Sequence, residues 1–144
     1  MNPPARVLFV CIENSNRSQM AEAFARMHGG DAVEALSAGS RPSGKVNPKA
    51  IEAMRERGYD LARHGSKSLE QIPTGEYAAA ITMGCGDACP MVRASVREDW
   101  QLPDPREMPP EEFRKVRDEI ERRVLALLAR LGVQQRATQR GTNS

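Results

Sequence analysis

The run 77–83 (YAAAITM) is apolar almost without interruption and lacks the in-and-out alternation of a half-exposed strand. A strand of that kind is buried on both faces, as the strands of a parallel sheet are. Parallel strands need long crossover connections, usually helical, and the flanking sequence supplies them. Residues 6–10 (RVLFV) form a short apolar, β-branched run ending at Cys11, after which Met20, Phe24 and Met27 keep helical spacing up to Gly29 and Gly30. Residues 33–37 (VEALS) read as a second strand closed by Ala38 and Gly39. Asn47 and Pro48 are a helix start, with Asn at the cap and Pro in the first turn; Ala50, Ile51 and Met54 face inward until Gly58 stops the helix. A weaker strand over 94–98 and a loop over 99–110 lead into the longest helix, where Phe113, Val116, Ile120, Val124, Leu127, Leu128 and Leu131 share one face. Its charges (Glu111, Glu112, Arg114, Lys115, Arg117, Asp118) read as a solvated face. The alternation predicts a doubly wound α/β sheet, in which ligands bind beyond the carboxyl ends of the strands.

The chain has 144 residues, about one domain's worth, with no internal repeat or linker to divide it. Residues 1–133 are expected to form the single α/β domain, and 134–144, polar and without periodicity, a disordered tail. No apolar run approaches the ~20 residues of a membrane span. The net charge of +2 comes from mixed signs without a basic cluster, so neither a membrane nor a nucleic acid is an expected partner. Three cysteines cannot all pair within one molecule, and the first residues carry no basic-then-apolar leader. Together these point to the reducing cytoplasm, where cysteines serve reactivity more often than permanent disulfides.

The first strand ends in Cys11-Ile12-Glu13-Asn14-Ser15-Asn16-Arg17-Ser18, a Cys-x5-Arg-Ser between a strand and a helix. Its position gives the spacing its meaning. Five residues between a strand end and a helix start can curl so that successive backbone amides point inward, and the helix N-terminus adds partial positive charge. Such a cradle fits a tetrahedral oxyanion. Arg17 adds a planar fork for two of the anion's oxygens, which a lysine cannot match. The same field favours the nucleophilic thiolate of Cys11, and the Ser18 hydroxyl is within reach of that sulfur. The plainer alternative is a buried strand-end cysteine with Arg17 as a solvated first-turn residue.

The segment VLFVCIENSNRSQMAEAFA resembles the opening of the low-molecular-weight phosphotyrosine phosphatase superfamily, and more narrowly its arsenate reductase branch. The SAGS at 37–40, the NPKAIEAM from Asn47, the TMGCGDACP from Thr82 and the WQLPDP from Trp100 are similar to elements of that family in the same order. The resemblance implies a flavodoxin-like, four-stranded parallel sheet with helices on both faces. It also implies Cys11 as nucleophile, Arg17 as oxyanion ligand, Asn14 as the residue that shapes the loop, and Asp104 as general acid. The substrate-binding loop is then Ile12, Glu13, Asn14, Ser15, Asn16, Arg17 and Ser18. Glu13 stands where many members have glycine and Asn16 where several have cysteine. A carboxylate at 13 repels an anion unless its side chain points outward.

Cys85 and Cys89 separate the reductase from the phosphatase. Phosphoryl transfer through Cys11 ends in hydrolysis by water and has no use for them, whereas reducing arsenate takes two electrons that thiols supply. Cys89 is expected to attack the Cys11–arsenate adduct and to pass the disulfide to Cys85. An external thiol, either thioredoxin or a low-molecular-weight thiol, then restores the enzyme, with no tightly bound cofactor. Phosphate and sulfate are expected analogues of arsenate. The alternatives are a phosphatase acting through a Cys11 phosphoenzyme and a nonenzymatic module binding As(III) with three thiolates, which needs neither Arg17 nor Asp104. A zinc site is not expected, because His28 and His64 lack ligand spacing. A phosphotyrosine slot would have to rely on Trp100 or Tyr77, since Arg106, Glu107 and Met108 follow the Asp-Pro.

Overall fold

A computed structural model of the chain describes residues 4–83 and 92–133. The strands β1 (Ala5–Cys11), β2 (Val33–Gly39), β3 (Glu76–Thr82) and β4 (Arg93–Asp99) form one sheet in the order β2-β1-β3-β4. Every pairing is parallel. The helices are α1 (Arg17–Gly29), α2 (Pro48–Arg55) and α3 (Pro110–Arg130), with short 3₁₀ turns at Gly30–Ala32, Leu61–Arg63 and Leu69–Gln71. This is the four-stranded parallel α/β sheet expected, with one correction: among the described residues all three α-helices pack on one face, and the other is covered by a 3₁₀ turn where helices on both faces were expected. The tail 134–144 lies outside the described residues, as do Cys85 and Cys89.

The pleat of β1 sends Val7, Phe9 and Cys11 to one face and Leu8 and Val10 to the other, all nearly inaccessible. The first face packs against Met20 and Phe24 of α1, Ala50 and Met54 of α2, and Phe113, Ile120, Val124 and Leu128 of α3. The second face, with Ala38 and Tyr77, is covered by Leu69 and Ile72 around the third 3₁₀ turn. Both faces are therefore dry, which is why these strands show no alternation. β4 is an edge strand and alternates in exposure, matching its weaker sequence signal.

Asn47 caps α2 as the sequence implies, its side chain accepting from the Lys49 amide (2.9 Å), with Pro48 in the first turn. The reading of α3's charges as a solvated face is corrected at one position. Arg117 is buried, and its guanidinium donates to the Ala53 carbonyl (2.9 Å) and to Glu56 (2.7 Å). Its long stem allows a charged head to reach across apolar surface to a partner on α2. Hydrogen bonds from Arg114 and Arg117 hold the Glu56 carboxyl down at about 2.

The chain leaves β1 toward β2 on one side and reaches β3 on the other, so the sheet order reverses at β1. That switch point opens a crevice beyond the strand ends, and Cys11 is the last residue of β1.

Candidate functional site

Residues 12–16 link β1 to α1, and their carbonyls are bonded outward. Those of Cys11, Ile12 and Glu13 accept from the amides of Ser40 (3.3 Å), Arg41 (2.7 Å) and Ser43 (3.1 Å). The Asn14 carbonyl accepts from Gln19 Nε2 (3.1 Å), that of Ser15 from the Asn47 amide (3.1 Å), and that of Asn16 from the Met20 amide (2.9 Å). In a planar trans peptide the N–H opposes the C=O. With the carbonyls tied to the surroundings, the amides of the following residues face the centre of the loop. Asn14 sits at φ 51°, a left-handed conformation that asparagine tolerates and that tightens the curl.

Gly39 makes this packing possible. A Cβ there would stand 2.6 Å from the Ile12 carbonyl oxygen and 2.9 Å from the Asn14 amide nitrogen, both rigid backbone atoms. Gly39→Ala is expected to destabilise the protein by about 2 kcal/mol through overpacking. It should also weaken oxyanion binding, because the loop must shift. Urea unfolding together with phosphate titration checks both effects.

Cys11 is buried, and its Sγ lies 2.9 Å from Ser18 Oγ. One backbone amide bears on that contact by fixing the orientation of Asn14. The Lys67 N–H donates to Asn14 Oδ1 (2.7 Å), so Asn14 Nδ2 is the atom that donates to Ser18 Oγ (2.8 Å). With its oxygen accepting from Asn14, the Ser18 hydroxyl has its proton free for the Cys11 sulfur. The same logic runs outward. Gln19 Nε2 donates to Asn14 Oδ1 (2.9 Å) and to the Gly65 carbonyl (2.9 Å), leaving Gln19 Oε1 to accept from His64 Nδ1 (2.8 Å). His64 Nε2 then accepts from the Tyr59 hydroxyl (2.6 Å).

Burial lowers the His64 pKa from its ordinary 6.5 and raises that of Tyr59, which keeps the histidine neutral and the phenol a donor. A histidine with a depressed folded pKa binds fewer protons folded than unfolded. Its contribution to stability is present above the unfolded value and is lost as the pH falls through the folded one. The wild type should therefore lose more melting temperature between about pH 8 and about pH 5.5 than His64→Gln does, measured by calorimetry at matched ionic strength. Equal losses in the two proteins would contradict a His64 kept neutral by burial.

Glu22, also buried, accepts from Ser37 Oγ (2.5 Å) and pairs with Arg26 (2.7 Å), with His64 Nδ1 at 3.8 Å and Lys67 Nζ at 3.9 Å. Gln19, Glu22, Ser37, Tyr59, His64 and Lys67 were absent from the residues expected at the site. The available signals were the polar positions 18, 19 and 22 at the start of an otherwise apolar helix, and the serine and glycine of 37–40.

Arg17 is buried at the loop mouth. Its Nη1 donates to the Leu102 carbonyl (3.0 Å), and its Nη2 lies 3.9 Å from Asp104 Oδ2. Among the described residues its buried Nε has no hydrogen-bond partner, so the Nε–Nη2 edge of the fork is the one available to two oxygens of an anion. Asp104 is half-exposed, and its Oδ1 accepts from the Arg106 amide (3.1 Å). The Glu13 side chain turns outward and pairs with Arg106 Nη1 (2.9 Å), meeting the condition set for a carboxylate at this position. The two candidate aromatics do not form a ring slot. Trp100 is buried against Phe9, with centroids 5.9 Å apart, and Tyr77 lies on the opposite sheet face with its hydroxyl on the Pro73 carbonyl (2.6 Å). Among the described residues no group of His, Cys, Asp and Glu is placed to hold a metal ion, and no helix is long and apolar enough to cross a membrane.

A strand end carrying a buried cysteine, a tight loop and a helix start carrying a buried arginine make up the candidate site. Residues 6–137 match the low molecular weight phosphotyrosine protein phosphatase family, and the chain belongs to it. Several of its relatives within that family are named arsenate reductases. It is 40% identical over 129 residues to the glutaredoxin arsenate reductase of Synechocystis sp., covering 88% of this chain and 98% of that one. A solved arsenate reductase in its phosphate-binding state superposes with a TM-score of 0.81 at 39% identity, over 88% of this chain and 98% of the other. A thioredoxin-dependent arsenate reductase of Corynebacterium glutamicum superposes with a TM-score of 0.74 at 33% identity, over 91% of this chain and 63% of that one.

Proposed function

We propose that this protein reduces arsenate to arsenite with electrons drawn from thiols. Arsenate sits in the amide loop with two oxygens on the Arg17 fork, and Cys11 Sγ attacks arsenic. Asp104 supplies the proton with which one oxygen leaves as water. A second thiol, Cys89, then attacks Cys11 Sγ and gives up its proton. The S–As bond breaks with its electron pair passing to arsenic, so As(V) leaves as arsenite while a Cys11–Cys89 disulfide forms. Cys85 displaces Cys11 from that disulfide, and an external thioredoxin-type or small-thiol donor reduces the Cys85–Cys89 bond. The relatives' names span glutaredoxin and thioredoxin dependence, which supports a thiol donor without selecting one. The reducing cytoplasm suits three thiols held ready for this cycle.

The observation that carries this reading is the Cys11 sulfur 2.9 Å from a serine hydroxyl whose oxygen accepts from Asn14 Nδ2, which leaves that hydroxyl's proton available to the sulfur. A buried strand-end cysteine has no need of that arrangement. The burial of Arg17 at the mouth, 3.9 Å from Asp104, also counts against a module that merely holds As(III). For the relay, the Met83 amide donates to the Val10 carbonyl (2.8 Å), so the chain leaves β3 beside the end of β1 that carries Cys11.

Arsenite formation from arsenate with thioredoxin and its reductase, or with a small-thiol system, tests the function. No arsenite with either donor, alongside brisk hydrolysis of an aryl phosphate, would leave the phosphatase in its place. The relay has its own test, in which reactions are stopped by alkylation and disulfides mapped by mass spectrometry. Cys85→Ser should accumulate a Cys11–Cys89 bond, and Cys89→Ser should release little arsenite without an added thiol. Normal turnover of the double variant with a small thiol would remove the relay and keep the cradle.

A further inference from the structure

Glu13 and Arg106 meet across the mouth of the oxyanion loop at 2.9 Å, and neither belongs to the steps described above. Glu13 stands two residues after Cys11, and Arg106 two residues after Asp104. The segment carrying Arg106 is held in three places. Arg17 donates to the Leu102 carbonyl (3.0 Å), Lys49 Nζ donates to the Arg106 carbonyl (2.9 Å), and the Arg106 amide donates to Asp104 Oδ1 (3.1 Å). The side-chain pair therefore joins two backbones that are each already fixed.

We infer that this ion pair is a specificity-determining bridge that admits small inorganic oxyanions and rejects aryl phosphate esters. The inference rests on the assignment of Asp104 as the acid. The oxygen protonated by Asp104 carries a bare hydroxyl in arsenate but the organic group in a monoester. Any such group has to leave the cradle past Asp104, where the guanidinium two residues on is drawn toward Glu13. The pair also solves an electrostatic problem. An unpaired carboxylate at the rim of an anion site repels the incoming dianion, and Arg106 cancels that charge while being held away from the anion by Glu13. Arg106 is on this account a positioning residue and not an anion ligand.

The test uses Glu13→Gln, Arg106→Gln and the double variant; both side chains are about half-exposed, so folding is preserved. Two readouts are taken. Protection of the Cys11 thiol from alkylation by inorganic phosphate measures oxyanion affinity without any turnover. The ratio of kcat/KM for para-nitrophenyl phosphate hydrolysis to kcat/KM for arsenate reduction measures selectivity. Arg106→Gln should weaken phosphate protection by about fivefold, as removal of a rim charge does, and less so at high salt. The double variant should recover most of that affinity, because the repelling carboxylate is gone too. It should also raise the selectivity ratio toward the aryl ester by about fivefold or more, since the bridge no longer closes the mouth. A ratio unchanged in all three variants overturns the bridge. Failure of the double variant to recover phosphate affinity overturns the charge compensation and makes Arg106 a direct ligand. A wild type that releases no arsenite overturns the reductase reading instead, while phosphate protection and aryl-ester hydrolysis still report on the bridge.

Discussion

Cys11→Ser is expected to lose arsenite formation by about a thousandfold or more while folding normally, since an un-ionised hydroxyl is a poor nucleophile at neutral pH. The substitution is nearly isosteric at a buried site, and Ser18 can still hydrogen-bond the new oxygen, so the loop has no reason to rearrange. Steady-state turnover and a thermal melt on the same preparation separate chemistry from stability. A variant with unchanged melting and wild-type turnover would remove Cys11 from the reaction.

Arg17→Lys keeps the charge and should still lose about a hundredfold in kcat/KM, because the lysine ammonium cannot present two parallel N–H groups to two oxygens. The structure adds a second reason. Arg17 spends Nη1 on the Leu102 carbonyl and, among the described residues, keeps its Nε without a partner, and a single ammonium cannot both hold Leu102 and offer a second pair of donors. The loss should appear in phosphate protection of Cys11 as well as in turnover. Loss of turnover with unchanged phosphate affinity would mean that Arg17 acts only by holding the segment around Leu102.

The central strands β1 and β3 were legible in the sequence because they are short and almost wholly buried, whereas β4, an edge strand alternating in exposure, gave a weaker signal. The helices were legible because Met20, Phe24, Ala50, Met54 and the α3 series repeat at helical spacing against one core. The placing of Cys11 and Arg17 at one loop was legible because both lie within one strand-loop-helix turn, where sequence distance and spatial distance agree. Gln19, Glu22, Ser37, His64 and Lys67 were not, because their roles depend on contacts between segments far apart in the chain. Asn14 and Lys67 are 53 positions apart. His64 offers no local pattern at all, and only the orientation forced on Gln19 by Asn14 gives it a part. Arg117 misled for a related reason, since a charged residue on a solvated stripe looks the same in sequence whether or not Glu56 stands opposite. Glu13 was the reverse case. Its oddity at an anion site was visible in the sequence, and its resolution by Arg106 required the two loops to meet.

A single turnover in the absence of any external donor tests the central claim most directly. The fully reduced protein is mixed with a slight excess of arsenate, arsenite is quantified, and the free thiols of the quenched protein are counted. Thiol-driven reduction through Cys11 predicts one arsenite per chain and the loss of two of the three free thiols. No arsenite, or arsenite formed with all three thiols intact, would contradict it.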